Sequence, residues 1–155
     1  MGKIYVTRHV EFEAAHMLLG YDGGCGSLHG HSYKLELTIS CPESIRNTNA
    51  YGFVMDFKNL NKILKDNVPD HMYMYNKNAP TDSAEYQIAT ILKANNLRVW
   101  EFNDFPSAEN MSKELANNFQ SILDMDYPEL KMEVVELKLW ETTNSHATWK
   151  KEVIE

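Results

Sequence analysis

The chain is poor in several things at once. It has only two cysteines, Cys25 and Cys41, in 155 residues, too few for a disulfide framework, so a reducing compartment fits best. It has no apolar run of membrane-spanning length, and its opening segment MGKIYVTRHV carries no signal-peptide core. Together these predict a cytoplasmic protein with no membrane partner. Positive charge is also scarce: 15 Lys and Arg against 22 Asp and Glu give a net charge of −7. That excludes nucleic-acid binding, which needs a basic face to displace counterions from phosphates, and an anionic ligand must find a local basic pocket. There is no internal repeat and no low-complexity tract. What remains, 43% hydrophobic and 24% charged residues, is close to the globular average and enough for one domain spanning residues 1–155.

Periodicity supplies the elements. The even positions Ile4, Val6, Arg8, Val10, Phe12, Ala14 and His16 share one face of a strand. After the glycine-rich stretch YDGGCGSLHG, a second strand places His29, His31, Tyr33, Leu35, Leu37, Ile39 and Cys41 on one parity. A turn is expected over residues 47–52. Asp56 can cap a helix with apolar positions Phe57, Leu60, Ile63, Leu64 and Val68, closed by Pro69. Asp82 with Glu85 reads as a capping box opening a helix that buries Ile88, Ile91 and Leu92. A third helix from Ser107 carries Met111, Leu115, Phe119, Ile122 and Leu123 and stops before Pro128. The segment from Lys131 reads as a hairpin turning at Thr143-Asn144-Ser145. Strands at both ends with helices between, and no βαβ alternation, predict an α+β domain: an antiparallel sheet with helices on one face.

Chemistry concentrates near the first two strands. His29 and His31, two apart in a strand, project from one face with Cα atoms about 6.6–7 Å apart. Gly30 between them leaves room for backbone or ligand. If the strands pair as a hairpin, His16 joins the two. Three imidazoles with an open fourth position suit catalytic zinc, although iron or another first-row metal would also suit them. Cys25 could serve as a base near the metal, as a fourth ligand, or simply pack; Cys41 reads as a packing residue. In Asp70-His71 the carboxylate can orient the imidazole for proton transfer, or the pair can cap a loop. Glu141 ends an apolar parity of Val135, Leu137 and Leu139, so it needs a partner; two parallel N–H donors on an amino-pyrimidinone edge would provide one, and a frayed strand end in water would not need one. Glu109 in the first helical turn suits the helix dipole.

Taken together, F-E-A-A-H ending at His16, C-G-S-L-H-G-H-S-Y from Cys25, Asp70-His71, P-S-A-E-N-M from Pro106 and Glu141-Thr142 resemble the 6-pyruvoyl-tetrahydropterin synthase family, which includes 6-carboxy-tetrahydropterin synthases. The resemblance implies the tunnelling fold, a four-stranded antiparallel sheet with helices. It also implies assembly into barrels as a homo-oligomer, commonly a hexamer, with active sites between subunits. It implies one zinc per subunit on His16, His29 and His31, proton transfer by Cys25, Asp70 and His71, and a pterin ring anchored by Glu141 with help from Glu109. The three-residue spacer Gly26-Ser27-Leu28 looks like the 6-carboxy branch. That branch converts 7,8-dihydroneopterin triphosphate to 6-carboxytetrahydropterin with release of acetaldehyde and triphosphate, on the way to queuosine or other deazapurines. The 6-pyruvoyl product is the alternative, and a noncatalytic zinc- and pterin-binding protein is the alternative of another class. Two features depart from the family pattern: D-H-M-Y-M-Y-N in place of the shorter D-H-x-x-L-N, and an added segment over residues 77–105, expected to be helical.

Overall fold

The computed structural model describes residues 2–48 and 51–152. Its strands are β1 (Lys3–His16), β2 (His29–Pro42), β3 (Met72–Asn76), β4 (Val99–Phe102), β5 (Glu133–Thr142) and β6 (Ser145–Lys150), and its helices are α1 (Phe57–Asp66), α2 (Ala84–Ala94) and α3 (Ala108–Asp126). They form one six-stranded sheet in the order β4-β3-β1-β2-β5-β6. The β1–β2 hairpin runs in unbroken register from Lys3↔Pro42 to His16↔His29, and β5–β6 forms the expected C-terminal hairpin. The part of the expected 47–52 turn at residues 49 and 50 lies outside the described residues. Among the described residues no helix is long and apolar enough to cross a membrane.

The sheet departs from the expectation of four antiparallel strands. The two additional strands, β3 and β4, pair in parallel, β3 with the end of β1 at Ala14↔Met72 and Ala15↔Tyr73, and β4 with β3. β3 escapes notice because it is buried on both faces, so the alternation that reveals a strand is absent, and β4, only four residues long, is too short to show one. Met74 points into the main core, while Tyr73 and Tyr75 pack with Ala89 of α2.

This also corrects the expectation of helices on one face. The face built from Phe12, Tyr33, Leu35, Leu37, Leu137 and Leu139 packs on Leu60 and Leu64 of α1 and on Met111, Leu115, Phe119 and Leu123 of α3; α2 covers the opposite face beside β3 and β4. The segment 77–105 is therefore not purely helical, because it contains β4 as well as α2.

Local chemistry explains the helix boundaries. Asp56 caps α1 by accepting from the Lys58 amide at 2.8 Å, but the helix ends at Asp66, before Val68, and Phe57 lies exposed. Ser83, not Asp82, caps α2. Glu85 does not close a capping box. It is fully buried and accepts from the Asn76 amide at 2.8 Å, while Ile91 is exposed. Ser107 caps α3 as expected. In β5 the inward parity is Val134, Leu137, Leu139 rather than Val135 onward, because the pairing slips between Thr38 and Ile39, which face Glu136 and Val134.

Candidate metal centre and its neighbours

The hairpin register assembles the centre. His16 is the direct partner of His29, and His31 lies opposite Ala14, so strand pairing alone brings together three side chains drawn from two strands. Their ligand atoms lie within 4.8 Å of one another, with ring centroids 4.6, 5.3 and 4.9 Å apart. The room expected at Gly30 is taken by the neighbouring strand: a Cβ there would stand 3.0 Å from the Ala14 carbonyl oxygen.

The main chain fixes the ring tautomers. His16 Nδ1 lies 2.6 Å from the Pro106 carbonyl and His29 Nδ1 lies 2.7 Å from the Ser27 carbonyl. A carbonyl can only accept, so each Nδ1 carries the proton and donates it. Each Nε2 is then left with a lone pair, yet these two atoms face each other at 3.1 Å. Two acceptors at that distance repel unless a cation joins them. His31 Nε2 is buried with no hydrogen-bond partner among the described residues. Burial holds His16 down to about 4, with His29 and His31 adding to the effect against the opposing Pro106 hydrogen bond. Burial also lowers His31, reinforced by His29 and opposed by Glu141. Neutral, inward-facing nitrogens of this kind suit a metal: bonds of about 2.0–2.1 Å in tetrahedral geometry place ligand nitrogens about 3.3 Å apart. The residues fit zinc or a similar first-row ion.

Cys25 sits in an exposed 3-10 turn, Gly24–Gly26. Its thiol is not part of the three-histidine cluster, which argues against its reading as a fourth ligand. The loop is pinned by the Leu18 amide donating to the Cys25 carbonyl at 2.8 Å. Cys41 is buried in the core, as expected. Glu141 is half-buried, with an oxygen 3.8 Å from His16 Nε2, so the carboxylate borders the three-histidine cluster itself. Glu109 is exposed in the first turn of α3, three residues beyond the Pro106 carbonyl that holds His16.

Asp70-His71 lies at the outer edge of β1. Asp70 Oδ1 bonds His71 Nδ1 at 2.9 Å and accepts from the Glu13 amide at 3.0 Å. The Glu13 amide, then the imidazole of His71, and finally Arg98 hold the Asp70 carboxyl below its usual range against the opposing cost of burial. His71 adopts a left-handed φ of 55° and donates its amide to the Glu13 carbonyl, so its exposed ring is fixed at the backbone. Among the described residues no hydrogen bond links the pair to Cys25 or to the three histidines. An open cavity of about 880 Å³ is nevertheless lined by both His31 and His71, together with Leu92, Asn96, Leu97 and Arg98.

Three contributors were not read from the sequence. The Ser27 and Pro106 carbonyls have no signature, because every residue has one. Tyr33, fully buried, places its hydroxyl 3.3 Å from His16 Nε2; it shares the parity of His29 and His31, but that parity marks a core tyrosine equally well. Burial, with Glu141 and Cys25 adding to it, raises the Tyr33 phenol well above its usual range.

Comparison with known proteins adds the following. The family model for 6-pyruvoyl tetrahydropterin synthase matches residues 5–152. A 6-carboxy-5,6,7,8-tetrahydropterin synthase from Rickettsia bellii is 33% identical over 144 residues, covering 91% of this chain and 96% of that protein. One of the same name from Haemophilus influenzae is 29% identical over 143 residues, covering 90% and 94%. Among solved structures, a 6-pyruvoyl tetrahydropterin synthase from Plasmodium vivax superposes with a TM-score of 0.69 at 16% identity, covering 99% of this chain and 100% of that one. One from Caenorhabditis elegans gives 0.62 at 20%, covering 98% of each. At such identities the structural likeness speaks for the fold.

Proposed function

The chain belongs to the 6-pyruvoyl tetrahydropterin synthase family and has its tunnelling fold, and from that premise we propose that it is a 6-carboxy-5,6,7,8-tetrahydropterin synthase. The proposed reaction takes 7,8-dihydroneopterin triphosphate and water to 6-carboxytetrahydropterin, acetaldehyde and triphosphate, and serves queuosine or a related deazapurine. The observation that carries this reading is that relatives matching nine-tenths or more of the chain bear that name. The three-residue spacer between Cys25 and His29 supports the same branch.

In this reading His16, His29 and His31 hold one zinc ion, which when bound supplies Lewis acidity to the side-chain hydroxyls of the substrate. The chain's own residues do the rest. Cys25, exposed on a pinned loop, takes or returns a proton at its thiol. His71, oriented through Nδ1 by Asp70, moves the other proton at its Nε2. Glu141 accepts the paired N–H donors of the pterin ring, with Glu109 as a second carboxylate for that edge, so the side chain of the substrate is oriented toward the three histidines. That no hydrogen bond among the described residues links Asp70-His71 to Cys25 supports active sites shared between subunits of a homo-oligomer, read here as a hexamer. Segment 77–105 is an addition to a single domain of residues 1–155, and the protein is placed in the cytoplasm.

The test is incubation of the zinc-loaded protein with dihydroneopterin triphosphate. Acetaldehyde and 6-carboxytetrahydropterin are expected in equal amounts. A product that retains the three-carbon side chain, with no acetaldehyde, would assign the 6-pyruvoyl reaction instead, and ligand binding without turnover would assign a noncatalytic role.

A further inference from the structure

The cavity bordered by His31 and His71 has an asymmetric wall. Of its charged side chains, Glu13 is already engaged by the Ser32 hydroxyl at 2.8 Å. Among the described residues, Arg98 is the only Lys or Arg in the lining. It is exposed, and among the described residues its guanidinium makes no hydrogen bond or ion pair. It is close enough to Asp70 to help hold that carboxyl ionised.

Its position is set by the backbone on both sides. α2 ends in a Schellman turn. Asn96 adopts a left-handed φ of 57°, its amide donates to the Lys93 carbonyl at 3.0 Å, and the Leu97 amide donates to the Leu92 carbonyl at 2.9 Å. One residue after Arg98, Val99 enters the sheet opposite Tyr73, two residues beyond His71. The segment 77–105 therefore sets the Arg98 backbone at a defined point from which its guanidinium can reach the space beside His71.

A planar fork of N–H donors without a partner, lining a cavity in a chain of net charge −7, is suited to oxygens that carry several negative charges. The net charge of the chain disfavours anions, so a local cation is needed to hold one. We propose that Arg98 is a specificity-determining residue that grips the phosphate oxygens of the substrate beside His71, so that segment 77–105 completes the binding site.

The proposal rests on the functional reading above for the identity of the substrate, but not for the existence of an anion site, and the experiment separates the two. Binding of inorganic triphosphate to zinc-loaded wild-type protein, R98Q and R98K is measured by calorimetry, beside binding of unphosphorylated dihydroneopterin and the steady-state kinetics with dihydroneopterin triphosphate. R98Q is expected to weaken inorganic triphosphate about tenfold or more, as expected for loss of a charge-assisted hydrogen-bond pair, and to raise KM similarly while kcat changes by less than about threefold. Dihydroneopterin binding should be unaffected, and R98K should recover part of the loss. Equal triphosphate affinity in wild type and R98Q overturns the proposal, as does an equal loss for the unphosphorylated pterin, which would mark Arg98 as a support for Asp70. If Arg98-dependent triphosphate binding persists but no pterin product forms, the functional reading fails and the anion site stands.

Discussion

Adding one methyl group at Gly26 tests whether the loop that carries Cys25 is as constrained as its contacts indicate. A Cβ at Gly26 would stand 2.2 Å from the Tyr21 carbonyl oxygen and 3.7 Å from that of Leu18. Ordinary C···O contacts are about 3.3 Å, so the loop must open by about 1 Å. The obstacle is main chain, and no rotamer change can relieve it. The loop is also held by the Leu18 amide on the Cys25 carbonyl at 2.8 Å, the Tyr21 amide on the Leu18 carbonyl at 3.1 Å and the Gly26 amide on the Gly23 carbonyl at 3.0 Å. Overpacking of this kind costs about 1–3 kcal/mol, which for a chain of this size lowers Tm by about 2–12 °C. G26A should therefore reduce pterin turnover about tenfold or more by displacing the Cys25 thiol, while atomic absorption should still find zinc, because the three histidines are brought together by strand pairing even where the Ser27 carbonyl behind His29 shifts with the loop. G24A is the control, since a Cβ at Gly24 meets nothing within 4 Å; it should retain wild-type Tm and kcat. Wild-type turnover and Tm in G26A, or equal losses in the two variants, would refute the reasoning.

Glu85 should impose a pH dependence on stability. Burial raises its carboxyl despite the Asn76 amide, so the folded state holds the proton more tightly than the unfolded state, and stability falls as pH rises from about 4.5 through the raised value. In urea titrations Glu85→Gln, which keeps an acceptor for that amide, should gain on wild type as pH rises above about 4.5; a pH-independent difference would show that Glu85 does not lose a proton on the way. Asp70 acts in the opposite sense: its carboxyl is held low, so its contribution is present above the usual carboxylate range and lost as pH falls through the depressed value. Chelation should abolish turnover while far-UV circular dichroism remains folded, because the hydrophobic core is built without the three histidines; global unfolding would indicate a structural ion. Phe119→Ala, which empties a fully buried ring position in α3, should cost about 3–5 kcal/mol by denaturant titration.

Legibility in the sequence followed exposure. The β1–β2 hairpin could be read because one face meets the core and the other meets solvent, and once its register is known the three histidines follow from parity. β3 could not, because Tyr73 and Tyr75 are covered by α2 while Met74 faces the core, leaving no alternation to detect. Glu85 matched a capping box, yet a stronger demand, an acceptor for the buried Asn76 amide, turned it inward. Val135 followed the expected parity until the slip at Thr38 and Ile39 moved Val134 into its place. Arg98 carried no motif at all; its significance comes from a turn and a parallel strand that only the folded chain brings together.

The two carbonyls that hold His16 and His29 have a consequence for how such a site drifts over time. Every amino acid brings the same carbonyl, so an exchange of side chains at Ser27 or Pro106 leaves the acceptor in place provided the backbone keeps its path. A substitution scan would then record two silent positions at atoms that decide which nitrogen of each histidine faces into the cluster. Inserting or deleting one residue between His16 and His29 would be a different event, because it moves the Ser27 acceptor itself. The site is thus tolerant in spelling and intolerant in length, and its history should be sought in loop lengths before residue identities.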